Sequence, residues 1–181
     1  MKSKPVPIFY KTLFTTIFAV NAVICSAANI EVPDVLKTPT NQVVILEAKA
    51  EGVQIYECKT QQNDSLKFEW KFKAPEADLY DTNGKIIAHH YSGPTWESND
   101  GSRVVGEVKE KYSAPDAKAI PWLLLSAKSG SAVGTFAQIT SIQRINTEGG
   151  QAPTEVCSQT QIGKEARIPY KAVYRFYVLK K

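Results

Sequence analysis

Residues 89–102 (HHYSGPTWESNDGS) place imidazole, indole, phenol, carboxylate and hydroxyl groups within fourteen positions. Trp96 follows Gly93, Pro94 and Thr95 and reads as a loop residue. A loop tryptophan offers a flat apolar face while its N–H seeks a partner. With His90, Tyr91, Glu97 and Asp100 nearby, it could stack on a sugar or an aromatic ring. The plainer alternative is that Trp96 plugs the end of a sheet structure. Metal binding would have to use His89 and His90, the only two histidines, with oxygens from Glu97 or Asp100. Neighbours on a strand face opposite ways. The pair therefore cannot share one ion without a bulge, and no metal or other cofactor is expected. One histidine should pack inside and the other stay solvated.

Catalysis has weaker support. Acid–base work needs two carboxylates in register across a substrate. Glu97 and Asp100 are candidates, with Glu57, Asp78 or Asp81 as distant partners, but Asp100 before Gly101 is more simply a turn residue. Ser102 is not in a G-x-S-x-G elbow. No residue is assigned a catalytic role.

These groups must be carried by strands. Residues 66–73 (LKFEWKFK) alternate Leu66, Phe68, Trp70 and Phe72 with four charges, the period of a half-buried antiparallel strand whose apolar side, Trp70 included, faces a core. Residues 43–48 and 53–58 read as a first hairpin split at Glu51-Gly52. Asn83-Gly84 predicts a tight type I′ turn, and Asp100-Gly101 has similar chemistry. Residues 122–127 (WLLLSA) are a buried run with Trp122 in the core, and 136–145 and 172–179 read as further strands. Tyr170, Tyr174, Phe176 and Tyr177 crowd the last strand. Phe176 and Tyr177 face opposite ways, so that strand should be central. Arg144 sits among apolar neighbours and should need a carboxylate, with Glu57 or Glu97 as possible partners. The expectation is an all-β fold: one antiparallel β-sandwich or barrel of about eight strands over residues 42–181, after an extended lead-in at 29–41.

The start of the chain has the layout of a secretory signal peptide: Lys2, Lys4 and Lys11, an apolar stretch at 12–24, then Ser26, Ala27 and Ala28. Cleavage after Ala28 would export the protein to the periplasm or the exterior, with no transmembrane segment left. It would leave 19 Lys+Arg against 18 Asp+Glu. That near-neutral balance argues against nucleic-acid binding, which needs a surviving basic surface. Ile24 before Cys25 argues against lipoprotein processing. In an oxidising compartment the remaining Cys58 and Cys157 have one possible pairing, the alternative being two buried thiols. Asn63-Asp64-Ser65 fits the glycosylation pattern.

GVQIYEC (52–58), KAPEADLYD (73–81), GKIIAHHYSGPTWESNDGSRVVG (84–106), AIPWLLLSAKS (119–129), FAQITSIQRINTEGGQAP (136–153) and IPYKAVYRFY (168–177) occur in that order. In these motifs the chain resembles a secreted family catalogued as domain of unknown function 3455. The resemblance implies an exported bacterial or fungal protein with no established activity and supplies no site residues. Some members carry the label malate dehydrogenase. This chain is not expected to be an NAD-dependent dehydrogenase, because it lacks the G-x-G-x-x-G turn and the strand–helix alternation of a dinucleotide fold.

Three functions follow in order. The first is an exported binding module for a small molecule, glycan or envelope component, using His90, Tyr91, Trp96, Glu97 and Asp100. The second is an envelope structural or interaction protein. The third is a secreted hydrolase pairing Glu97 or Asp100 with a histidine.

Overall fold

A computed structural model describes residues 31–181, so the expected leader and its Ala28 cut lie outside the described residues. Eight strands follow in chain order: β1 (Gln42–Gln61), β2 (Asp64–Tyr80), β3 (Ile86–Tyr91), β4 (Thr95–Ser98), β5 (Arg103–Tyr112), β6 (Trp122–Ser129), β7 (Ser141–Gly149) and β8 (Glu165–Leu179). Each pairs antiparallel with the next, and β8 returns to β1, closing a barrel. The closing seam runs from Gln42 opposite Leu179 to Glu57 opposite Glu165. Of the two expected architectures, the barrel is the one formed. Closure gives every strand, β8 included, a partner on each side over at least part of its length.

Eight strands give an interior just wide enough to be filled by side chains or to hold one small ligand. Here filling is uneven. Ala48, Ala50, Ala77 and Ala88 are all buried in the same cluster as Trp96, Phe136, Tyr174 and Phe176. Small residues on β1, β2 and β3 make room for large ones from β4, β8 and the β6–β7 connection. Gly106 on β5 serves the same purpose, since a Cβ there would sit 2.9 Å from the Trp96 ring and from Leu125 Cδ2.

The two ends differ. One end carries the β2–β3, β4–β5 and β6–β7 turns and is closed by Phe136, whose ring lies 4.8 Å from that of Phe176. The other end carries the β1–β2, β3–β4, β5–β6 and β7–β8 connections. There residues 150–164 form a strap tied to β1 by the Cys58–Cys157 disulfide. The strap is also held by Gly163 N–H to Cys58 O (2.9 Å), by Cys58 N–H to Lys164 O (3.0 Å) and by the Tyr56 hydroxyl donating to Gly150 O (2.6 Å). A disulfide of this kind suggests an oxidising, extracytoplasmic environment. No helix among the described residues is long and apolar enough to cross a membrane.

Several local expectations are corrected. Glu51-Gly52 is not a turn, because β1 runs straight through it. Gly52 lies so close to β2 that a Cβ would strike Glu76 O and Ala77, so glycine here permits close backbone approach. Asn83 does not take the positive φ of a type I′ turn. Instead Asp81 Oδ1 accepts from Asn83 N–H and Lys85 N–H, and Gly84 alone is left-handed. Residues 136–140 are turn rather than strand, and β7 starts at Ser141. The lead-in contains a 3-10 turn at Asp34–Leu36. Ile142 and Arg144 face inward on β7, so Gln143 and Ile145 face out, yet both are buried. The lead-in covers that outer wall, where Gln143 Nε2–H donates to Leu36 O (2.6 Å).

The largest correction concerns residues 66–73. They do form strand, but Leu66 is 86 % and Phe72 51 % exposed. This half of β2 pairs with β1 beyond the point where β3 joins, as an arm outside the barrel proper. Trp70 is therefore not core. It is half-buried, and its Nε1–H donates to the strap at Glu155 O (3.1 Å).

Candidate functional site

At the strap end the barrel holds a cavity of about 470 Å³, lined by residues from all eight strands. Its walls are mostly apolar: Phe72, Pro75, Val108, Ile120, Leu123 and Leu125. The polar lining is sparse and specific. Gln54 comes from β1, His90 from β3, Trp96 from β4, Arg144 from β7 and Tyr174 from β8, each at an inward position of its strand.

Trp96 and His90 form the floor. They are cross-strand partners on β4 and β3. Their rings stack at 4.1 Å and 7°, and Tyr174 meets both edge-on at 5.3 Å. Trp96 is 1 % exposed, so the expectation of a loop tryptophan is corrected: it is a strand residue whose ring points into the barrel. The Gly93-Pro94 turn that suggested a loop lies just before β4. His90 Nδ1–H donates to Thr95 O (2.9 Å), leaving Nε2 as an acceptor on a ring that lines the cavity. Burial pushes the His90 pKa down to about 3, with Arg144 adding to the effect and the Thr95 hydrogen bond opposing it. The folded protein thus keeps a neutral imidazole, whereas the unfolded chain titrates near ~6.5. Between those values only the unfolded state binds the extra proton, so this contribution to stability is full above about pH 6.5 and falls as pH drops. The slope of Tm against pH over roughly 6.5 to 4 should be shallower in His90→Gln than in the native chain. An unchanged slope would exclude a neutral buried His90.

The other expected residues do not join this floor. His89, next in chain, points outward and pairs with Asp78 Oδ1 at 2.7 Å, as the strand alternation requires. Tyr91 and Glu97 lie on the same outer wall. The Tyr91 hydroxyl donates to Glu97 Oε2 (2.7 Å) and Arg103 Nη2–H to Oε1 (3.0 Å). Those bonds, Tyr91 first, lower the Glu97 pKa, and the bond to Glu97 raises that of Tyr91 against the opposing charge of Arg103. Asp100 sits at the closed end. It accepts from Ser102 N–H (2.9 Å), the Ser102 hydroxyl, Thr135 N–H (2.7 Å) and the Thr135 hydroxyl (2.7 Å). These donors, the Ser102 hydroxyl foremost, hold its carboxyl well below the usual range. Asp100 positions the turn that carries Phe136. The expected five-residue constellation is therefore split: His90 and Trp96 share the cavity, Tyr91 and Glu97 lie on the outer wall, and Asp100 locks the plug.

Gln54, Tyr174 and Arg144 are inward-facing polar residues of the cavity that sequence reasoning did not assign to a site. A signal existed for each. Gln54 interrupts the apolar run 53–58, Arg144 sits among apolar neighbours, and Tyr174 belongs to an aromatic cluster. The carboxylate expected beside Arg144 is absent among the described residues. Its Nε–H and Nη2–H both donate to Pro121 O, at 3.2 and 2.8 Å. Among the buried polar atoms at the cavity Trp96 Nε1 has no protein partner, while Gln54 Nε2 and Tyr174 Oη make no well-formed hydrogen bond although Tyr170 lies close to both and Arg144 close to Tyr174. The Tyr170 hydroxyl likewise makes no well-formed hydrogen bond, and burial raises both tyrosine pKa values, opposed by Arg144 at both, by Gln54 at Tyr170 and by Tyr170 at Tyr174.

Residues 39–178 match a family described as Protein of unknown function (DUF3455). The chain belongs to this family. The match runs from before β1 almost to the end of β8, so the whole DUF3455 barrel, cavity and strap included, lies within it. Neither the comparison with curated proteins nor the comparison with solved structures found a match.

Proposed function

We propose that this DUF3455 protein is an exported binding module whose barrel takes up one small, largely apolar molecule at its strapped end. The observation that carries the reading is the convergence of a few buried polar groups on one apolar cavity, with the Trp96 N–H left without any partner and Gln54 and Tyr174 incompletely satisfied. Buried polar groups are normally satisfied, and each exception calls for an explanation. A handful of placed donors in an apolar cleft of 300–1,000 Å³ is the usual make-up of a small-molecule site. The lining favours a small apolar molecule over a glycan, which would need many more polar partners. Export to the periplasm or the exterior accords with the disulfide and with the expected leader. A hydrolase has less support, because both oxygens of Glu97 and of Asp100 are already engaged away from His90.

Titration with the neutral dye N-phenyl-1-naphthylamine tests the reading. Its emission should rise and saturate at one dye per chain. Val108→Trp, at a cavity wall residue that is 39 % exposed, should abolish that rise without lowering Tm. Absence of saturable binding to the native chain would sink the proposal.

The interaction reading has one observation in its favour. Leu66, Val156 and Ile162 are exposed on the arm and strap, at 86 %, 76 % and 50 %. Scattered apolar residues are ordinary on surfaces, so they weigh less than the cavity. A dimer at micromolar concentration that Leu66→Ser dissociates would shift the weight to this reading.

A further inference from the structure

We propose that the ligand carries a carboxylate, which Arg144 receives inside the barrel with the Tyr174 hydroxyl. The inference rests on the small-molecule reading above and specifies its chemistry. Arg144 is partly buried on β7, and its positive charge has no carboxylate within ion-pair distance among the described residues. A guanidinium has five N–H donors, and here two of them share one carbonyl, that of Pro121. A carbonyl offers a partial charge only, so the cation remains unbalanced in a low-dielectric site.

The rest of the lining shares that bias. It includes Lys73 and Lys111 as well as Arg144, and no Asp or Glu. Lys73 is already shared between Glu57 and Glu165, and Lys111 is exposed at the rim, where water screens it. Arg144 is therefore the one cation that reaches inward without compensation, which points to a monoanion rather than a phosphate dianion. The planar fork of arginine matches the two oxygens of a carboxylate. Tyr174 is 1 % exposed, and its hydroxyl lies beside Arg144 and Tyr170 without a well-formed hydrogen bond, placed to donate to the same group. The apolar walls at Phe72, Leu123 and Leu125 would hold the rest of the molecule.

The test is displacement of N-phenyl-1-naphthylamine from the full chain, with its disulfide intact, by octanoate and by 1-octanol. The two share a chain length and differ in charge. Octanoate should displace the dye at about tenfold lower concentration or better, the range of a charge-assisted hydrogen-bonded pair. In Arg144→Met the preference should fall to about unity while the dye still binds. Tyr174→Phe, which removes one hydroxyl and keeps the ring, should keep the fold and reduce the preference several-fold, so the inference stays testable if Arg144→Met fails to fold. Equal displacement of the dye from the native chain would overturn the carboxylate inference and leave the binding module standing. A preference that survives Arg144→Met, or survives Tyr174→Phe undiminished, would overturn the assignment to these residues. A native chain that binds no dye would remove both readings.

Discussion

Replacing Cys58 and Cys157 together by alanine should lower the unfolding free energy by about 4 kcal/mol. The bridge joins residues 99 apart in sequence, so it forbids most of the open conformations of the unfolded barrel. In the chain-entropy description a loop of that size is worth about 4–5 kcal/mol, less any native strain. Alanine is the right replacement because Cys58 is 0 % and Cys157 3 % exposed, and serine would add a buried hydroxyl. The loss should have a local signature as well. Without the bridge, residues 150–164 keep only a few hydrogen bonds to β1 and β2, chiefly those of Tyr56, Cys58 and Trp70. Limited proteolysis should then cut the strap before any strand. Urea denaturation measures the first effect and mass mapping of fragments the second. A midpoint within about 0.5 M of the native chain would mean the strap is held without the disulfide.

The second large effect is expected at Trp96. Its ring is fully buried between His90, Tyr174 and Phe176, with Gly106 kept small to admit it. Truncation to alanine removes the largest side chain of the interior and leaves a void that β-strands cannot easily close. The usual cost of such a change is about 3–5 kcal/mol. Trp96→Ala should therefore unfold at much lower urea, and a loss under about 1 kcal/mol would show that the ring carries little structural weight. The expected destabilisation makes Trp96→Ala a poor probe of binding. Arg144 and Tyr174 are the informative positions, because their hydrogen-bonding groups can be altered while most of the side-chain volume is kept.

The position of Trp96 shows how far sequence reasoning carries. The run Gly93-Pro94-Thr95 has loop composition, and glycine and proline do make the β3–β4 turn. The turn is so short that Trp96 already lies in β4, opposite His90. Alternation then dictates that His90 and Trp96 face in while Tyr91 and Glu97 face out. The same rule separated His89 from His90 correctly, because the facing of neighbours along one strand is a local property of extended backbone. It cannot separate Glu97 from Trp96 unless Trp96 is known to lie in a strand.

Residues 66–73 mark the opposite limit. Their alternation is the clearest in the chain, and strand is what they form. Which side is covered depends on what packs against it, and near that end β2 has left the barrel. Leu66 and Phe72 are consequently exposed. Periodicity reports two distinct faces but does not say that a core lies against either.

By itself, then, the sequence determined an all-β chain of about eight strands and, with Cys25 expected to leave with the leader, pointed to a Cys58–Cys157 pairing against two buried thiols. It also determined the opposed facing of His89 and His90. Each follows from local backbone geometry or from counting. Only the tertiary structure decided that the sheet closes, because closure is hydrogen bonding between β1 and β8, more than 100 residues apart. Closure in turn brings Gln54, His90, Trp96, Arg144 and Tyr174 from five strands around one cavity, and it sends Asp100 to the far end. No local pattern encodes that convergence, since it depends on strand register, and register is fixed by contacts between strands rather than within them.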